Sequence, residues 1–194
     1  MKVVDYYFSP VSPWTYLGHE RFAKIAARHG ASVNAKPVDY GVIFPVSGGL
    51  PLGKRAPQRQ AYRLVELARW RDHLGIPLTV QPKFFPADGT QAAHLIAAAP
   101  EAVRMAVAGD VLSAVWVREE DIADPAIVAA IAARHGISDL EAAFGRGKAV
   151  YAANTQEALV RNVFGAPTYA YKDELFWGQD RLDFLERAMG ASLA

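Results

Sequence analysis

The stretch Val3-Val4-Asp5-Tyr6-Tyr7-Phe8-Ser9-Pro10-Val11-Ser12-Pro13-Trp14-Thr15 decides the fold. Its first half is crowded with Val, Tyr and Phe, the composition of a short strand that meets a core. Ser9 to Pro13 is a proline-rich turn. Pro13 then suits the first turn of a helix, where a backbone N–H would have no partner in any case. The amphipathic segment from Tyr16 to Arg28 continues that helix. Ser12-Pro13-Trp14-Thr15 therefore sits where a first strand passes into a first helix. The helix N-terminus offers unpaired N–H groups and partial positive charge, which favour an anion such as a thiolate. Both outer positions of the tetrapeptide are hydroxyls, and the chain has no cysteine. The site can hold a thiolate but cannot supply one.

The rest of the chain builds outward from that junction. Residues 2–9 read as a strand, and the helix 13–29 stops at Gly30, a natural residue just past a helix end. Residues 31–40 alternate in character and predict a second strand, so the opening is β-α-β with parallel strands. Gly41 to Pro57 is rich in Gly and Pro and reads as a loop. Helical periodicity then dominates to residue 162, with helices expected at 58–74, 89–98, 100–117, 125–134, 138–145 and 148–162, and an extended Pro-rich connector over 76–88. The end of the chain is β-β-α. Strands 168–171 and 174–177 flank Lys172-Asp173 at hairpin spacing. Asp180 caps a last helix, 181–189, that stops at Gly190. Removing the helical stretch leaves a thioredoxin-like β-α-β / β-β-α core. The fold class is thus α/β, with residues 1–44 and 163–194 forming one discontinuous unit and 45–162 an inserted, all-helical domain.

Composition narrows the function. In 194 residues, 52% hydrophobic and 21% charged content is that of a globular protein with a sizeable core. A formal net charge of +1 gives no bulk attraction to nucleic acid or to an anionic membrane. No apolar run reaches the length of a membrane span, and the N-terminus lacks the pattern of a secretion signal. The expectation is a soluble, cytoplasmic protein. Without cysteine there is no disulfide, no thiolate metal site and no redox chemistry of the chain's own. The five histidines, 19, 29, 73, 94 and 135, show no metal-ligand spacing, and no metal is expected.

The borrowed thiol points to glutathione as cofactor. Ser12 has two compatible readings: a helix N-cap, and a hydroxyl that donates to a bound thiolate. Thr15, one turn in, is the weaker candidate because its hydroxyl can bond back to the backbone. Ala166-Pro167-Thr168 enters the third strand where thioredoxin-like folds keep a cis proline. There the backbone of Ala166 could pair with the cysteinyl backbone of glutathione as an added strand does. In Trp177-Gly178-Gln179-Asp180 a helix cap could double as the partner of the γ-glutamyl end. Lys54, Arg55, Arg59 and Arg63 form a basic run, with 55, 59 and 63 on one helix face. It reads either as a solvated face partly paired with Glu66 or as a carboxylate clamp at the mouth of the site, with Lys54 and Arg55 favoured as ligands. Phe84-Phe85 and Trp14 could wall a planar substrate or simply pack the core.

With these motifs assembled, the chain resembles the 2-hydroxychromene-2-carboxylate isomerases and, more broadly, the kappa-class glutathione transferases of the DsbA-like superfamily. The resemblance is carried by Phe8 to Leu17, by Arg69-Trp70 with Gly75-Ile76-Pro77, by Val163-Phe164-Gly165-Ala166-Pro167-Thr168 and by Phe176 to Leu182. It implies a homodimer, a glutathione-activating serine at Ser12, and glutathione contacts at Ala166 and Trp177 to Asp180. It implies substrate contacts near Ile43, Gly53-Lys54 and Phe84. Members that degrade aromatics carry a basic residue where Ile43 stands, a tyrosine at Phe84 and an asparagine-arginine pair at Gly53-Lys54. The implied chemistry is isomerisation of a small aromatic carboxylate by transient attack of glutathione thiolate. The competing readings are a transferase or peroxidase that consumes glutathione, and a non-catalytic binding module.

Overall fold

The computed structural model describes residues 1–190. Strand β1 (Lys2–Phe8) leads into helix α1 (Pro13–Arg28) and returns as β2 (Ala31–Pro37). Helices α2 (Tyr40–Ser47), α3 (Pro57–Leu74), α4 (Thr90–Ala98), α5 (Glu101–Trp116), α6 (Pro125–Arg134) and α7 (Leu140–Val160) follow, and β3 (Thr168–Tyr171), β4 (Glu174–Trp177) and α8 (Leu182–Gly190) close the chain. The sheet order is β2-β1-β3-β4. β1 runs parallel to β2, Lys2 beside Ala31 and Phe8 beside Pro37, and antiparallel to β3, Tyr6 facing Tyr169. The thioredoxin-like core with its helical insertion is as the sequence predicts.

Strand periodicity places the core. Val4, Tyr6 and Phe8 point to one face of β1, where they join α1, α8 and the helical region in a single cluster. Tyr6 stacks on Phe8 at 4.5 Å and on Tyr169 at 5.2 Å, and Phe22 of α1 lies tilted against it at 5.0 Å. Tyr7 points to the other face, into a smaller cluster with Tyr40, Ile43, Ala158 and Val163.

Two helices depart from the sequence reading, the first because of that second face. The expected loop from Gly41 begins as a helix. Asp39 caps α2 by accepting from the Gly41 N–H at 2.7 Å, Tyr40 and Ile43 bury against the sheet, and Gly48 ends the helix at φ 77°. Burial of two large side chains outweighs the local Gly and Pro punctuation. Helix α7, expected as two helices split near residue 146, is continuous. Gly147 does not break it, because a Cβ there would collide with the His94 carbonyl of α4. The glycine permits close helix approach, and tertiary packing supplies what propensity withholds. A third correction concerns Asp180. Gln179–Arg181 forms a 3-10 turn ahead of α8, and the Asp180 carboxylate accepts from Arg181 at 2.7 Å instead of capping the helix.

Candidate functional site

The site is built at the N-terminus of α1. Ser12 is extended (φ −79°, ψ 124°), and its Oγ accepts from the Thr15 N–H at 3.2 Å, while its carbonyl accepts from Tyr16 at 3.1 Å. The serine is therefore a helix cap, and its own O–H is left to donate elsewhere. Thr15 departs from expectation: its Oγ1 is buried and bonds neither backbone nor side chain.

A groove of about 480 Å³ opens beside this end of the helix. Trp14 lines it, so the Ser12-Thr15 motif reaches the groove through its tryptophan. One wall is Ala166 with Trp177, Gly178, Gln179 and Asp180. The Ala166–Pro167 bond is cis, as expected. The Pro167 carbonyl accepts from the Gly178 N–H at 2.8 Å, which ties the two loops of this wall together. Gly178 takes φ 102°, a conformation open to glycine alone in practice. Gly165, behind Ala166, lies so close to the Trp177 ring that a Cβ would not fit. Its carbonyl accepts from Tyr40 at 2.7 Å and Thr168 at 2.6 Å. Among the described residues, the Ala166 amide and carbonyl make no hydrogen bond within the protein. Trp177 is half exposed and meets Phe164 edge-on at 4.9 Å. Gln179 is buried, and its Oε1 accepts from Arg21 at 2.6 Å. Its side chain braces the wall from behind.

The other wall is α3 and the residues just before it. Arg55, Arg59, Tyr62, Arg63 and Trp70 line it. The Arg55 Nε donates to the Leu50 carbonyl at 2.8 Å. Burial, with the charge of Arg59 adding to it, pulls the Arg55 guanidinium below its usual range. Arg63 is buried, and burial together with the Arg55 charge pushes it down to about 10.

The structure thus brings together Trp14, Arg55, Ala166 and Trp177 to Asp180. Ser12 and Pro167 adjoin groove residues in the chain without lining the groove themselves. Lys54 is exposed on a short 3-10 turn (Leu52–Lys54) outside it. Phe84 is also exposed and outside it, with Lys83 over its ring at 4.9 Å. The sequence reading ranked Lys54 above Arg63, and the structure reverses their burial. The missed signal was a pattern. Arg63, Leu67, Trp70 and Leu74 recur at helical spacing on one face of α3, so Arg63 occupies a position where an apolar residue is expected. Among the described residues no three His, Asp or Glu side chains are grouped to hold a metal ion, and no helix is long and apolar enough to cross a membrane.

The DsbA-like thioredoxin domain matches residues 3–190. The chain belongs to that family. Within it, the chain is a member of the 2-hydroxychromene-2-carboxylate isomerase group, an enzyme of the isomerase type. A 2-hydroxychromene-2-carboxylate isomerase from Pseudomonas putida is 34% identical, over 97% of this chain and 94% of the relative. A solved structure of an isomerase of that name superposes with a TM-score of 0.84 at 29% identity, covering 97% of this chain and 94% of the other. Human glutathione S-transferase kappa 1 is 26% identical, over 97% of this chain and 91% of the relative.

Proposed function

We propose that the chain is a glutathione-dependent isomerase of 2-hydroxychromene-2-carboxylate or a related intermediate of aromatic catabolism. In this reading residues 1–44 and 163–190 hold the tripeptide, and 45–162 supply the wall that takes the substrate. The observation that carries it is the single groove shared by Trp14, Ala166 and Trp177 to Asp180 on one side and the arginines of α3 on the other. The chain lacks any thiol, and its residues fit one brought from outside. Ser12 keeps an O–H beside the positive end of a helix, Thr15 Oγ1 one turn into that helix is unpartnered, and the Ala166 backbone has both hydrogen-bonding groups uncommitted.

Bound there, glutathione supplies a thiolate nucleophile that is regenerated in each turnover. Ser12 donates to the sulfur, and the end of α1 favours its charge, lowering a thiol pKa that is about 8.5 in water. Ala166 pairs with the cysteinyl backbone as the edge of a strand would. The half-exposed Trp177 and Asp180 Oδ1, the carboxylate oxygen not held by Arg181, receive the γ-glutamyl end. The α3 wall orients a planar acid against the sulfur, which is the contribution of proximity. The homodimer of the resembled family belongs to the same proposal.

A transferase reading is favoured by the similarity to the human kappa enzyme. One assay separates the two. Purified protein is given glutathione and the hydroxychromene carboxylate, and product and thiol are followed together. Turnover at constant thiol is expected. Thiol consumed in step with product makes the protein a transferase, and turnover without glutathione overturns the proposal.

A further inference from the structure

Arg63 is charged, buried and uncompensated. Only 8% of the residue is exposed, and its Nη2 is enclosed without a hydrogen-bond partner. Its guanidinium lies over the Phe85 ring at 5.0 Å and the Trp116 ring at 5.8 Å, aromatic contacts that support its charge. No carboxylate among the described residues comes within ion-pair distance of it. Both acids in the groove are engaged elsewhere, Glu66 with Arg69 and Asp180 with Arg181, each at 2.7 Å. Arg55 and Arg59 add positive charge on the same wall. A desolvated guanidinium with no counter-charge is costly, and an anion bound from outside would offset that cost.

We propose that Arg63 is the carboxylate anchor of the groove and takes the carboxylate of a planar aromatic acid. The proposal rests on the groove being the substrate site described above. Arg63 lines the groove, and a guanidinium there donates charge-assisted hydrogen bonds to a carboxylate. The surrounding Trp14, Tyr62, Trp70 and Trp177 suit a planar ring on the end of that carboxylate. Glutathione also carries carboxylates. The aromatic acid is favoured because Arg63 stands on the α3 wall, on rings from the helical region, whereas the uncommitted Ala166 backbone and Trp177 to Asp180 form the other wall.

The test uses salicylate and its neutral amide, salicylamide, as probes, with binding read by quenching of tryptophan fluorescence. The wild-type protein binds the acid more tightly than the amide. Arg63→Met removes that preference by about ten-fold or more, as expected for a hydrogen-bonded charge partner, while glutathione affinity, measured by calorimetry on the same samples, stays within about two-fold. Arg63→Lys keeps the charge without the planar fork and falls between the two. If Arg63→Met keeps the acid-over-amide preference, the anchor is elsewhere and the proposal fails. It fails also if that variant loses glutathione and keeps salicylate, because the guanidinium then belongs to the tripeptide. Should Arg63→Met not fold, Arg63→Lys alone decides: an undiminished preference for the acid overturns the assignment. The probe assay needs no turnover. An absent isomerase activity would sink the proposed function and leave this measurement standing.

Discussion

On the wall formed by Ala166 and Trp177 to Arg181, the charged and amide side chains are already occupied. Gln179 is held by Arg21, Asp180 by Arg181, and the uncommitted groups are the backbone of Ala166 and the face of Trp177. On the α3 wall the reverse holds: the backbone is sealed inside a helix and the unpaired groups are guanidiniums. One wall offers shape and peptide hydrogen bonds, and the other offers charge. A ligand that is itself a peptide suits the first, and a small planar anion suits the second. The proposed function asks this groove to take two unlike ligands, one on each wall.

The sharpest way to break that division is at Ser12. Ser12→Ala removes the single hydroxyl assigned to the sulfur, and an active-site donor of that kind is worth about a hundred-fold in kcat. It also removes a helix cap worth about 1 kcal/mol of stability. The two readouts should separate, with activity collapsing and the denaturation midpoint moving modestly. Equal, small losses in both would reduce Ser12 to a cap.

The next effect is conformational. Gly178 holds φ 102°, and a Cβ there would run into the Asp180 carboxylate. Gly178→Ala should cost about 2 kcal/mol in urea denaturation. It should weaken glutathione more than an aromatic acid, since it deforms only one wall. Equal weakening of both ligands would mean the walls are not independent.

A fully paired cluster shows what Arg63 lacks. Asp5, on β1, meets Lys36 at 2.9 Å, Arg161 at 2.7 Å and Asn34 at 2.9 Å. Burial alone would raise its carboxyl, but the bonds to Asn34 and Lys36 and the charges of Lys36 and Arg161 hold it below the usual carboxylate range. A carboxyl depressed in the folded state stabilises the fold above its unfolded value, roughly pH 4. That contribution fades as the pH falls through the lower, folded value. Asp5→Asn should therefore lose about 2 kcal/mol at neutral pH and show a flatter fall of stability below pH ~4. An unchanged acid limb would mean the cluster is not coupled to folding.

These elements differ in how plainly they can be read from sequence. The strand-turn-helix around Ser12 was legible because Pro13, the missing cysteines and the β-rich run are all local signals. The cis Ala166–Pro167 was expected from its place in a thioredoxin-like fold, since an X-Pro pair alone favours trans. The local signal at Asp180 misled, because its carboxylate bonds Arg181 and does not cap the helix. Helix α2 was not, since Gly41 and Pro45 argue against it and only burial of Tyr40 and Ile43 against the sheet decides it. The unbroken α7 depends on His94, some fifty positions away in sequence, standing where a side chain at 147 would be. Arg63 was seen only as one of a row of basic residues. Its role comes from Phe85 and Trp116, which the fold alone sets beneath it.

The smallest expected effect tests that last point. Lys54 and Arg55 are neighbours in sequence and equal in charge, and the sequence reading treats them as one clamp. The structure separates them: Lys54 is exposed on its short turn, whereas Arg55 is partly buried, bonded to Leu50 and on the groove wall. An exposed charge that faces solvent contributes little, because water and salt screen it. Lys54→Met should then leave the KM for an aromatic acid within about two-fold. Arg55→Met should raise it several-fold, because that guanidinium is partly desolvated and adds to the field around Arg63. Steady-state kinetics at two salt concentrations decides between them. A KM that rises as much for Lys54→Met as for Arg55→Met, and does so only at low salt, would mean that the α3 wall attracts its ligand by its summed charge and not by a placed guanidinium.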